Sequence, residues 1–264
     1  MSILRFSDLH TLTTTPVMLE PPLLKLIAQL PNLSTLNITP NYREYLNCSL
    51  STRLPEGSFL ALNKLWVPCT TFQSIKKFWQ FIPLSKLETL ALAIQSVSND
   101  DDLIFIPTLC QASPRITGLS LSFPFVDDRA EEQEPYLIGE EEFESLLGLA
   151  LESKFILRYA MFESDSAWAR IANSWKGLTN IDCCYQPTSL DELTLLCSSL
   201  PKLKTICYDF DLEGAAGSVE HDWTPVGPRP VYPCLEELEL TQLKLVEVMA
   251  SREHSSSDLA RYTN

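Results

Sequence analysis

The chain has 264 residues, is 45% hydrophobic with only 8 glycines, and carries 20 basic against 34 acidic side chains for a formal charge of −14. Such a composition fills a sizeable core and excludes disordered and glycine-rich classes. The negative charge argues against a nucleic-acid partner, because it repels phosphates rather than releasing their counterions. No stretch approaches the roughly 18 apolar residues of a membrane span, and MSILRFSDLHTLTTT lacks the basic head and apolar core of a signal peptide. The expectation is no membrane association and a cytoplasmic or nuclear address.

In chain order, a phrase of the form L-x-x-L-x-L opens at Leu9, Leu12 and Thr14 and returns at Leu33, Leu36, Ile38, at Leu62, Leu65, Val67, at Leu87, Leu90, Leu92 and at Ile116, Leu119, Leu121. After a gap it reappears at Leu178, Ile181, Cys183, at Leu203, Ile206, Tyr208 and at Leu235, Leu238, Leu240. First positions lie 24 to 32 residues apart, except for one step of 62 between Ile116 and Leu178, which predicts a degenerate copy with its strand in FILRYAM, near Phe155 to Met161. Apolar residues spaced by three and then by two fit a chain entering a short strand from a bend. Pro31, Pro114, Pro201 and Pro233 precede the phrase by two residues and close the helix before it.

Between the strand phrases the periodicity becomes helical. Helices are expected over Leu19 to Leu30, with two prolines in the opening turn where they are tolerated, and over Phe72 to Ile82, with Phe72, Ile75, Phe78, Trp79 and Ile82 on one face. Asp100, Asp101 and Asp102 open a further helix, DLIFIPTLCQA, where carboxylates complement the positive helix end. The acidic run from Asp127 to Glu144 reads as a solvated loop and then, from Gly139, as a helix turning Phe143, Leu146, Leu147 and Leu151 inward. A helix with Ser164 as N-cap follows over Ser164 to Trp175, with Trp168, Ile171, Ala172 and Trp175 inward, and Thr188 or Ser189 with Glu192 reads as close to a capping box for the helix ending at Leu200. The segment 211–232 is an aperiodic inserted loop holding Trp223, and 251–264 reads as a flexible tail.

Catalytic constellations are hard to find. The three histidines, His10, His221 and His254, are scattered, and no G-x-S-x-G elbow, phosphate-cradling glycine loop or H-E-x-x-H pair occurs. The eight cysteines contain no C-x-x-C pair; they read as core residues in a reducing compartment. Cys183 and Cys184 are adjacent, so in a strand they face opposite sides and do not readily share a metal. No cofactor, no metal and no enzyme activity are expected.

PNLSTL at 31 to 36, PKLKTI at 201 to 206 and PCLEEL at 233 to 238 resemble the repeat region of the F-box and leucine-rich-repeat proteins, especially the divergent fungal kind. The resemblance implies an α/β fold: a leucine-rich-repeat solenoid, curved, with parallel strands on the concave face and helices on the convex face. It covers residues 1–250 as one domain of about nine irregular repeats, with inserted loops near 124–139 and 211–232. It also implies a non-catalytic protein-recognition module. The F-box phrase is not present, so binding to the adaptor of a cullin ubiquitin ligase, as the substrate-receptor half of that enzyme, is expected only if an F-box lies upstream. A free-standing scaffold or inhibitor of ribonuclease-inhibitor type is the alternative, and an enzyme with an unrecognised site a further one.

Strand alternation places the expected binding surface. Residues between the inward positions face away from the core, which selects Asn37, Lys64, Trp66, Asn180, Asp182, Asp209, Glu237 and Glu239, with Trp223 of the long loop as a secondary candidate. Such a face is near neutral around one tryptophan and acidic at its far end. The expected partner is a protein that inserts an apolar group beside Trp66 and sets basic residues against the carboxylates.

Overall fold

The computed structural model describes residues 6–15, 21–39, 54, 57–70, 75, 84–94, 105–124, 135–210 and 237–243. The expected helix over Phe72 to Ile82 apart from Ile75, the run Asp100 to Asp102, the loop 125–134, the loop 211–232 with Trp223, and the tail 251–264 all lie outside the described residues.

The elements in order are β1 (Thr11–Thr14), α1 (Pro21–Ala28), β2 (Thr35–Ile38), β3 (Lys64–Thr70), β4 (Thr89–Ile94), α2 (Phe105–Ala112), β5 (Gly118–Ser122), β6 (Tyr136–Ile138), α3 (Glu140–Leu147), β7 (Lys154–Arg158), β8 (Ala160–Phe162), α4 (Ala167–Ser174), β9 (Asn180–Thr188), α5 (Leu190–Ser199), β10 (Thr205–Phe210) and β11 (Glu237–Leu243). Among the described residues nine strands form one sheet in the order β1-β2-β3-β4-β5-β7-β9-β10-β11, and every pairing described in it is parallel. Because each strand pairs with the next one in sequence, apart from β6 and β8, the fold grows by adding one crossover at a time. Helices α2 to α5 pack in the same sequence order against one another.

Register follows the apolar spacing. Leu12, Leu36, Leu65, Leu90, Leu119, Phe155, Ile181, Ile206 and Leu238 stand opposite one another across the sheet. From Leu36 to Ile206 the members of that row are buried, and they join the inward faces of the helices in one core. A one-residue slip would turn the whole row to the opposite face, so the leucines themselves fix the pairing.

A second regularity lies at the strand entrances. The carbonyls of His10, Ser34, Asn63, Glu88, Thr117, Ser153 and Thr179 each accept two successive backbone N–H groups from the following unit, as Thr117 O does from Glu152 and Ser153. Hydroxyls of Ser34, Thr117, Ser153 and Thr179 add a third donor to four of these carbonyls. Gly118 begins β5 where this network is crowded: a Cβ there would lie 2.6 Å from Ser153 Oγ.

The degenerate copy falls at Lys154–Arg158, which occupies the sheet position between β5 and β9. Three readings of the sequence differ from the structure. Tyr136–Ile138, read as loop, is a strand that pairs in parallel with β8 in a separate two-stranded sheet; such three-residue strands leave no periodicity to read. The N-cap of α4 is Ser166, not Ser164, and its side chain makes no cap bond; Ser164 and Ser166 hydroxyls instead bond each other at 3.2 Å. Leu147 is half-buried at the edge of the core rather than inside it. Of the two cap candidates Thr188 and Ser189, the serine forms the capping box of α5, with Ser189 Oγ accepting from Glu192 N and Glu192 accepting from Ser189 N. Among the described residues no helix is long and apolar enough to cross a membrane.

Candidate functional site

Opposite the core, the sheet presents its alternate residues in two rows. The first runs Thr11, Thr35, Lys64, Thr89, Gly118, Lys154, Asn180, Thr205, Glu237 and the second Thr13, Asn37, Trp66, Ala91, Ser120, Ile156, Asp182, Cys207, Glu239. All but Asp209 of the expected sheet positions therefore lie in one of these two rows. Asp209 comes just after a register shift in β10, opposite Pro187 and Gln242, and so leaves the line.

Trp66 is the large apolar side chain of this face, at 50% exposure. Its small neighbours Thr89, Ala91 and Ser120 leave a groove of about 510 Å³ that reaches from Asn37 to Arg158. Three cations line it, Lys64, Lys154 and Arg158, with Ile156 between the last two. The described part of the face is therefore basic around the tryptophan, where the sequence pattern predicts near-neutrality. Lys154, Ile156 and Arg158 escape sequence reading because Glu152 stands where the phrase requires its first leucine, while the buried Leu151 sits one residue early.

Asp182 is the described carboxylate among the expected acidic positions, and it is already engaged. Arg158 Nη2 and Nε donate to its Oδ2 at 2.6 and 3.1 Å. Its Oδ1 accepts from Cys184 Sγ at 2.9 Å, and Cys184 Sγ lies 3.4 Å from Cys207 Sγ. Cys207 is buried although it belongs to the outward row. As the sequence predicts, Cys183 points the other way, into the core. Asp182, Cys184 and Cys207 bring donor atoms of metal-ligating type within 4.8 Å of one another. Burial, followed by the bonds to Asp182 and Cys207, pushes the Cys184 thiol well above the ordinary thiol range. Burial does the same to Cys183, and raises Cys110 to about 12.

The acidic helix α3 is less open than its composition implies. Arg170 bonds Glu140 at 2.7 Å and also Glu144, while its guanidinium lies 4.6 Å above the Phe143 ring. Glu142 is buried and accepts from Tyr136 Oη at 2.8 Å and from Gly139 N at 3.2 Å.

No protein-family model matches the chain, and no curated protein matches it in sequence. Among solved structures it is similar to an internalin from Listeria monocytogenes, at 9% identity and a TM-score of 0.35 over 83% of this chain. The match spans 64% of that internalin, so this chain corresponds to less than two thirds of its length.

Proposed function

We propose that the chain is a leucine-rich-repeat solenoid that recognises a protein partner through the outward face of its parallel sheet, without chemistry of its own. The observation that carries this reading is the groove around Trp66, an exposed aromatic on a face of small side chains with Lys64, Lys154 and Arg158 beside it. Repetition of one crossover with its entrance hydrogen bonds supports the solenoid, because each unit buries its leucines only between neighbours. A large aromatic framed by small neighbours and a polar rim is the usual arrangement of a binding hot spot.

The partner this face suits presents an apolar side chain to Trp66 and carboxylates to Lys64 and Lys154, Arg158 being already paired with Asp182. At the other end, the positions of Asn180, Glu237 and Glu239 suit basic groups of the same partner; Asp182, tied to Arg158, contributes less. Burial of Cys110 and Cys183 among apolar side chains supports a reducing compartment, the cytosol or nucleus.

Affinity capture with the parent chain, run beside Trp66→Ala and Lys154→Glu variants of unchanged melting temperature, tests the reading. A protein held by the parent, lost from Trp66→Ala and captured more slowly by Lys154→Glu is the expected result; one held equally by all three overturns the site. Co-purification of a cullin adaptor would assign the chain to a ubiquitin-ligase substrate receptor, and its absence from a complex with a captured protein would favour a scaffold or inhibitor.

A further inference from the structure

Along β9, Asp182 and Cys184 are two residues apart and leave the strand on one side, while Cys207 stands opposite Asp182 on β10. Their donor atoms lie 2.9 Å (Asp182 Oδ1 to Cys184 Sγ) and 3.4 Å (Cys184 Sγ to Cys207 Sγ) apart. A tetrahedral zinc ion, with Zn–S of about 2.3 Å and Zn–O of about 2.1 Å, separates such ligand atoms by roughly 3.6 to 3.8 Å. These two separations therefore need to open by about 0.4 to 0.7 Å to take the ion, and the third, between Asp182 and Cys207, lies within 4.8 Å. We infer that Asp182, Cys184 and Cys207 form a zinc site, with the fourth position held by water or by a group of a bound partner.

The surroundings fit a metal better than a disulfide. Arg158 occupies Asp182 Oδ2 and leaves Oδ1 toward the sulfurs, the outer hydrogen bond that commonly orients a ligating carboxylate. Binding exchanges two thiol protons for one divalent cation, so the net charge of the cluster is unchanged and the Arg158–Asp182 pair stays neutral. A disulfide would need the two sulfurs to close from 3.4 Å to about 2.05 Å, whereas zinc needs them to open by about 0.4 Å. Cys183 belongs to the core and takes no part.

The test uses the full chain, stripped of metal and kept in a thiol-free reductant. One equivalent of cobalt(II) should give a thiolate-to-metal charge-transfer band, which zinc then bleaches with release of protons, and zinc affinity should rise with pH. Cys184→Ser and Cys207→Ser should each abolish the band and weaken zinc by at least about 10-fold, and Arg158→Gln should weaken it by about 10-fold or more through the carboxylate it orients. Cys197→Ser, on α5, should change nothing. Circular dichroism shows whether each variant is folded; Cys184 is only half-buried, so its serine variant is the one that decides. Absence of the band in the parent, parental zinc affinity in folded Cys184→Ser, or conversion of Cys184 and Cys207 to a disulfide by oxidised glutathione at a rate that zinc leaves unaltered would overturn the site.

Discussion

Arg158 on β7 reaches across to Asp182 on β9 and places both Nη2 and Nε on the same carboxylate oxygen, Oδ2, at 2.6 and 3.1 Å. The pair joins the basic part of the sheet face to the stretch that was expected to be acidic, and it takes the charge of Asp182 out of play. Arg158 is 55% exposed and Asp182 17%, so water screens the attraction and the net contribution to stability is about 0 to 1 kcal/mol. Asp182→Asn should therefore leave the denaturant midpoint nearly unchanged. A loss above about 2 kcal/mol would show that the bond is structural rather than a property of the surface.

The core row makes the opposite prediction. Ile206 is fully buried, and its strand position stands opposite Ile181 on β9 and Leu238 on β11. Ile206→Asp puts a carboxylate into the apolar row, where it either ionises at high cost or stays protonated in apolar surroundings. Loss of several kcal/mol is expected, seen as a melting transition lowered by tens of degrees or absent; an unchanged midpoint would contradict the register.

That row was legible because its signal is redundant. Leu36, Leu65, Leu90 and Leu119 share one spacing, and a slip in any copy would expose a leucine that the others hold buried. The capping box at Ser189 and Glu192 was legible for a similar reason, since both bonds are made by residues three apart. What sequence could not supply was meeting across strands where the phrase fails. Glu152 in place of a leucine hid the outward cations of β7, and with them the basic groove beside Trp66. The convergence of Asp182, Cys184 and Cys207 depends on the pairing of β9 with β10, which spacing along either strand leaves undetermined.

Glu142 gives stability a pH dependence that can be isolated. Burial is the leading effect and raises its carboxyl above the ordinary 4.5, and the bonds from Tyr136 and Gly139 offset this only in part. The folded protein thus holds this proton more tightly than the unfolded chain does. The stabilisation is complete below about pH 4.5 and is lost as pH rises through the folded value. Glu142→Gln cannot ionise, so its stability relative to the parent should climb as pH rises from 4 toward neutrality and then level off. A difference that is flat across this range would mean that the parent carboxyl titrates as an ordinary surface acid.

Gly118 tests the strand-entrance network. In Gly118→Ala the new Cβ would meet Ser153 Oγ at 2.6 Å, so the serine must rotate and give up its bond to Thr117 O, now 3.0 Å. The expected loss is about 1 kcal/mol, the net worth of one such bond. Ser153→Ala should show a similar loss, and the double variant should cost little more than either single change, because the clash and the bond share one hydroxyl. Fully additive losses would place the strain elsewhere.

Trp66 and Lys154 separate binding from folding. Trp66 stands two strands before β5 and Lys154 one strand after it, so the two side chains flank the same groove roughly 15 Å apart along the sheet. Trp66 is half exposed and Lys154 only partly buried, so neither Trp66→Ala nor Lys154→Glu should shift the melting temperature by more than a few degrees. For a captured partner, Trp66→Ala should reduce affinity by about 30-fold or more, the effect of truncating a hot-spot aromatic. Lys154→Glu should act chiefly on the association rate and lessen its dependence on salt, since a charge at the rim steers encounter more than it holds the complex. Titration calorimetry and stopped-flow kinetics at two salt concentrations distinguish these effects. If Trp66→Ala leaves affinity intact while Glu237→Lys with Glu239→Lys abolishes it, recognition belongs to the β11 end of the sheet and not to the groove.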